Sequence, residues 1–115
     1  MPGGLQKQGS PEKLTAPDRT VHFAGLECDV YKTVYPHGGA TALFLDDATD
    51  RSPVATATVN VPEANHLLDD QTILVKDYSE GEGMMDALES AGIVRDTGER
   101  FPIGFTEAKV ARLLV

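Results

Sequence analysis

Apolar residues recur at every second position along much of the chain between Val21 and Val75, and past Ser79 they switch once to helical spacing. A period of two places alternate side chains on opposite faces of a strand, whereas a period near 3.6 lines one face of a helix. Several stretches of the first kind and one of the second predict an α+β domain. The expected form is a twisted, mainly antiparallel sheet of five to seven short strands with one helix packed on one face.

Val21 and Phe23 start the pattern, with Gly25 as a turn or bulge. Leu26, Cys28, Val30 and Val34 then alternate with Glu27, Asp29, Tyr31, Thr33 and Tyr35, as in a strand buried on one face. Pro36-His37-Gly38-Gly39 punctuates it as a hairpin turn. Residues 40–45 are a continuous apolar strand, and residues 46–52 a polar loop. In 54–61, Ala55, Ala57, Val59 and Val61 are expected inward and Thr56, Thr58 and Asn60 outward. Residues 62–71 form an acidic connection in which Leu67-Leu68 tucks onto the sheet, and 72–76 is another short strand. Short strands joined by short turns favour an antiparallel meander.

Ser79-Glu80-Gly81-Glu82 fits a capping box. Met84, Met85, Leu88 and Ala91 follow at helical spacing, and Gly92 is a left-handed stop. The helix is therefore expected over about 80–91, with Met85, Leu88 and Ala91 facing Val30, Phe44, Val59 and Val75. Asp96-Thr97-Gly98 reads as a turn, and 101–110 as an interrupted strand, or two short ones, around Pro102 and Gly104. Residues 1–19 hold three prolines and three glycines with Leu5 and Leu14 as their only bulky apolar side chains, so a flexible tail is expected there and the single α+β domain over 20–115.

Charge is distributed unevenly. Residues 46–89 carry eleven acids against Arg51 and Lys76, a net −9, while the whole chain is −8. Residues 1–45 balance at zero, and the last 26 residues come to +1. Summed charge acts on association and solubility rather than on fold, so an acidic middle points to a basic partner. Direct binding to nucleic acid is not expected. Cys28 is the only cysteine, which rules out a disulfide within the chain. No apolar run approaches membrane-spanning length, and a cytoplasmic protein is expected.

Convergent catalytic groups are not evident. His22, His37 and His66 are scattered without a second ligand at i+3 or i+4, unlike a zinc site. Asp46, Asp47 and Asp50 resemble a calcium loop, but its sixth and twelfth positions are Arg51 and Ala57 instead of glycine and glutamate. Cys28 falls on the apolar face of its strand and reads as a small buried hydrophobe. No cofactor or metal is expected.

Glu82, Asp86 and Glu89 stand at i, i+4 and i+7, on one face of the expected helix. Like charges at i,i+4 cost a few tenths of a kcal/mol, and Glu89 lies at the unfavourable end of the dipole. The stripe is therefore not what helix stability alone would select. Three charges over roughly 10 Å approach the density of a DNA strand, which carries one phosphate per about 3.4 Å. A solvated face is the ordinary meaning of such a run.

The run Thr72-Ile73-Leu74-Val75-Lys76-Asp77-Tyr78-Ser79-Glu80-Gly81-Glu82-Gly83-Met84-Met85-Asp86-Ala87-Leu88, followed by Ala91-Gly92-Ile93-Val94 and Thr97-Gly98, resembles a family of small uncharacterised acidic proteins carried on plasmids, phages and integrative elements. Gly81 stands where the resembled pattern has asparagine. The resemblance implies a mobile-element origin, and small acidic proteins from that source often block host defence, including CRISPR effectors.

The expected function is non-enzymatic: binding and inhibition of a basic, nucleic-acid-handling host protein, most concretely a CRISPR effector complex. The binding residues would be Glu82, Asp86 and Glu89 with Glu80, Asp77, Asp69 and Asp70. One alternative is a divalent-metal accessory enzyme using Asp69, Asp70, Asp77 and Glu80. Another is a structural or regulatory subunit whose acidic face only confers solubility. An exposed strand edge leaves both monomer and homodimer open.

Overall fold

The computed structural model describes residues 12–14 and 21–115. Over these the protein is α+β, with eight antiparallel strands and one α-helix. The strands are β1 (Glu12–Leu14), β2 (Val21–Phe23), β3 (Leu26–Val34), β4 (Thr41–Asp47), β5 (Pro53–Thr56), β6 (Thr72–Val75), β7 (Val94–Ile103) and β8 (Thr106–Leu113). The helix, α1, is Met84–Ser90, and 3-10 turns occupy Pro62–Leu67 and Ser79–Gly81. The strands form two sheets instead of one. The first runs β1-β3-β4-β5, with β2 also on β3, and the second runs β6-β8-β7. The rest of the expected tail lies outside the described residues, but Glu12–Leu14 within it pairs with β3, Leu14 opposite Val30.

The two sheets meet at Thr58. Ala57 N–H still donates to Leu43 O on the first sheet at 2.8 Å. One residue later the chain has changed partners: Lys76 N–H donates to Ala57 O at 2.8 Å and Val59 N–H to Leu74 O at 3.1 Å. Thr58, expected outward, is buried and satisfied, its hydroxyl taking Leu43 N–H at 3.2 Å and sharing a 2.8 Å bond with Tyr35 Oη. This handover corrects the expected alternation. Ala55 and Ala57 pack in the main core, while Val59 and Val61 belong to a second cluster.

The main core draws on both sheets and the helix, with Val21, Val30, Leu43, Leu45, Ile73, Val75, Met84, Met85, Leu88 and Val94 buried together. α1 lies between β2 and β7. As expected, Met85, Leu88 and Ala91 are buried in one core with Val30 and Val75, and Met84 joins them, whereas Val59 belongs to the second cluster. Phe44 is in neither. It is half-buried and stacks on Tyr31, its partner across β3–β4, with ring centroids 5.4 Å apart. The smaller cluster places Val61, Ala64 and Leu68 against Leu74, Ala108 and Val110, so Leu68 does tuck onto a sheet, while the Leu67 side chain lies outside the described residues.

Two turn assignments shift. Asp96-Thr97-Gly98 does not end a strand but forms a bulge inside β7, where the register slips between Asp96 and Arg100. The Asp96 carboxylate accepts Gly98 N–H at 2.8 Å and binds Arg100, so the turn chemistry is met locally while pairing resumes beyond it. The reversal comes at Gly104-Phe105, between the partners Ile103 and Thr106.

A candidate acidic interface around the helix start

The helix begins later than its apolar spacing suggests. Residues 79–81 form a 3-10 turn, Glu82 is extended (φ −56°, ψ 129°), and Gly83 at φ 93° is the N-cap of α1. Ser79 makes no capping bond with its side chain. Asp77, two residues past the end of β6, does that work instead. Its Oδ1 accepts Gly83 N–H at 2.9 Å and its Oδ2 accepts Met85 N–H at 2.9 Å. The first-turn amides of a helix lack intrahelical acceptors, so a carboxylate there satisfies two donors and suits the positive end of the dipole.

Gly81 is packed too closely for any side chain, because a Cβ would lie 2.4 Å from the Lys76 carbonyl oxygen. The asparagine of the resembled pattern would not fit this backbone. Gly83 needs glycine for the other reason, its left-handed φ.

The seven predicted interface acids separate into two groups. The Asp77 side chain is only 8% exposed and also pairs with Lys109 at 3.4 Å. Burial pushes its carboxyl up, but the Gly83 and Met85 amides and the Lys109 ammonium outweigh that and hold it below the ordinary range. Glu80 is ion-paired with Lys76, whose ammonium also sits 5.7 Å from the Tyr78 ring centroid, and this hydrogen bond lowers the Glu80 carboxyl. Asp69 accepts Thr72 Oγ1–H at 2.7 Å and Gln71 N–H at 2.9 Å, which lower its carboxyl, and lies 3.7 Å from Arg112. Glu89 accepts Asp96 N–H at 2.9 Å, tying the last turn of α1 to β7.

Asp70, Glu82 and Asp86 form the other group. All three are exposed, and none makes a side-chain hydrogen bond or ion pair with a described residue. The expected stripe therefore needs correction. Only Asp86 and Glu89 share the helix, Glu82 precedes it on extended backbone, and Glu89 is committed to β7.

The metal-enzyme alternative required Asp69, Asp70, Asp77 and Glu80 to converge. Each of Asp69, Asp77 and Glu80 is instead engaged by its own partners, and among the described residues no group of three or more His, Cys, Asp or Glu side chains could hold a metal ion. Cys28 is buried, and burial followed by the Asp47 charge pushes its thiol up, away from nucleophilic thiolate.

Two features carried little sequence signal. One is a groove of about 650 Å³ between the second sheet and residues 64–68, lined by Ala64, Leu68, Leu74, Phe101, Val110 and Arg112. The other is Phe105, at 111% the most exposed large apolar side chain described. The Gly-Phe pair after Ile103 was the only hint of it. No helix among the described residues is long and apolar enough to cross a membrane. No protein-family model, curated protein or solved structure is significantly similar to this chain.

Proposed function

We propose that this protein is a non-enzymatic binder that presents carboxylates around the start of α1 to a basic, nucleic-acid-handling protein and competes with its nucleic acid. The observation that carries the reading is an imbalance of partners. Lys76, Lys109, Arg112 and Arg100 are engaged by Glu80, Asp77, Asp69 and Asp96. Glu82, Asp86 and Asp70 remain exposed without a base. Their charge is then directed outward, where it speeds encounter with a positive surface and favours such a partner over others. A CRISPR effector is the concrete case that the sequence resemblance implies.

The test is competition. An effector ribonucleoprotein is held on a fluorescent target duplex and titrated with this chain at two ionic strengths. Displacement is expected at low salt, weakening as the Debye length falls below about 10 Å. The double variant Glu82→Gln/Asp86→Gln should displace poorly, and Glu27→Gln, outside the acidic stretch, should behave as the parent. Equal displacement by the double variant, or none by the parent at low salt, would remove this reading.

A further inference from the structure

Phe105 is the side chain for which the fold has no use. Strand β6 pairs with β8 only over Lys109 to Arg112, whereas β7 stays paired with β8 as far as Ile103 and Thr106. Residues 101–108 therefore run past the end of β6 as a two-stranded ribbon, with Gly104-Phe105 as its turn. Gly104 sits at φ 57°, while Phe105 is not among the positive-φ residues. A two-residue turn of this kind needs glycine first and places no demand for an aromatic second. The other exposed large apolar side chains are 40–53% exposed, so each is still partly covered, and Phe105 is not.

The ribbon is braced and its position fixed. Arg100 donates to both Asp96 carboxylate oxygens, at 2.9 and 3.1 Å, and reaches across to Glu107 at 4.0 Å. Lys109, its cross-strand partner, binds Asp77, and Asp77 holds Gly83. Glu82 is thus tied to the base of the ribbon, and Phe105 lies about 13 Å farther along β8 at the usual strand rise. The roughly 800 Å² that one partner gives to a standard interface is about 30 Å across, wider than that separation.

We infer that Phe105 is the apolar anchor of a partner interface, entering a hydrophobic pocket whose basic rim meets Glu82 and Asp86. The inference rests on the binding function proposed above. It divides the labour in a physically ordinary way: carboxylates govern approach, and a desolvated aromatic governs residence. A second copy is disfavoured as the occupant because each chain carries −8. An anionic lipid surface is disfavoured for the same reason.

The experiment places the photo-crosslinker p-benzoylphenylalanine at position 105 of the full chain and irradiates it in lysate of the source organism, with the same group at Thr49 as control. A single basic protein should be captured from position 105. That protein, purified, should bind Phe105→Ser at least tenfold more weakly than the parent, through faster dissociation. Glu82→Gln/Asp86→Gln should instead slow association and flatten its salt dependence. Phe105 is exposed on a turn, so an unchanged melting midpoint for Phe105→Ser verifies folding. Adducts no stronger than at Thr49, or a crosslink to a second copy of this chain, overturn the inference. Parent-like affinity of Phe105→Ser for the captured protein also overturns it and leaves the charge reading standing. A charge variant that binds normally removes the charge reading and the basic-rimmed partner with it.

Discussion

Asp77, its side chain 8% exposed, accepts backbone amide N–H groups with both carboxylate oxygens at the start of the helix, whereas Glu82, five positions later, is exposed and its side chain bonds to none of the described residues. The same chemical group is a structural part in one place and outward charge in the other. Counting acids along the sequence cannot separate these uses, because the decision is made by which donors the backbone brings within reach. The first kind belongs to folding energetics, and removing it should lower stability. The second belongs to the surface, and removing it should alter only encounters with other molecules.

The contrast can be broken most severely from beneath. Leu88 is fully buried on the inner face of α1, in the core shared by both sheets. Leu88→Ala should cost about 3 kcal/mol by transfer and cavity terms, read as a shift of the denaturant midpoint. A cost under 1 kcal/mol would mean that the helix is not held by its apolar face. Next comes Gly81→Ala, whose methyl would meet the Lys76 carbonyl. Overpacking of this kind should cost about 2 kcal/mol, and a neutral result would show that the 3-10 turn relaxes freely.

Acid provides a third probe. The carboxyls of Asp77, Asp69, Glu80 and Asp96 are all held below their ordinary values by hydrogen bonds or paired bases, against burial in the case of Asp77. A depressed folded pKa contributes stability that is fully present above the unfolded value, about 4. That contribution is lost as pH falls through the folded value. Chemical denaturation should therefore give a flat stability between pH 5 and 7 with a decline below about pH 4. The decline should be shallower in Asp77→Asn. The smallest effect is expected at Glu89, exposed but bonded to Asp96 N–H. Glu89→Ala should cost about 0.5–1 kcal/mol, and amide exchange at Asp96 should quicken.

Part of the first sheet was legible because Cys28 and Val30 alternate with polar or aromatic neighbours and Ala24-Gly25 supplies a tight turn with both residues at positive φ. Leu26 and Val34, expected on the buried face, are instead 40% and 48% exposed because they lie at the two ends of β3. The inner face of the helix was legible too, since Met85, Leu88 and Ala91 have no other place to go. The division into two sheets was not. It depends on the backbone at Ala57–Val59 changing partners from Leu43 to Leu74, and alternating alanines and threonines look the same on either side. β1 was missed because three residues in a proline-rich setting carry no periodicity. Within the site, the acids were found but not their division, since Asp77 caps amides six and eight positions away, beyond the reach of any short capping motif.

The division of the carboxylates is tested most directly by one comparison at pH 7. Asp77→Asn and Glu82→Gln/Asp86→Gln are unfolded in urea beside the parent chain. Weakening two charge-assisted hydrogen bonds and an ion pair should destabilise Asp77→Asn by about 1–2 kcal/mol. The double variant loses two charges at the surface and should stay within about 0.5 kcal/mol of the parent. A parent-like Asp77→Asn, or a double variant destabilised as much as Asp77→Asn, would contradict the assignment of Asp77 to the fold and of Glu82 and Asp86 to the surface.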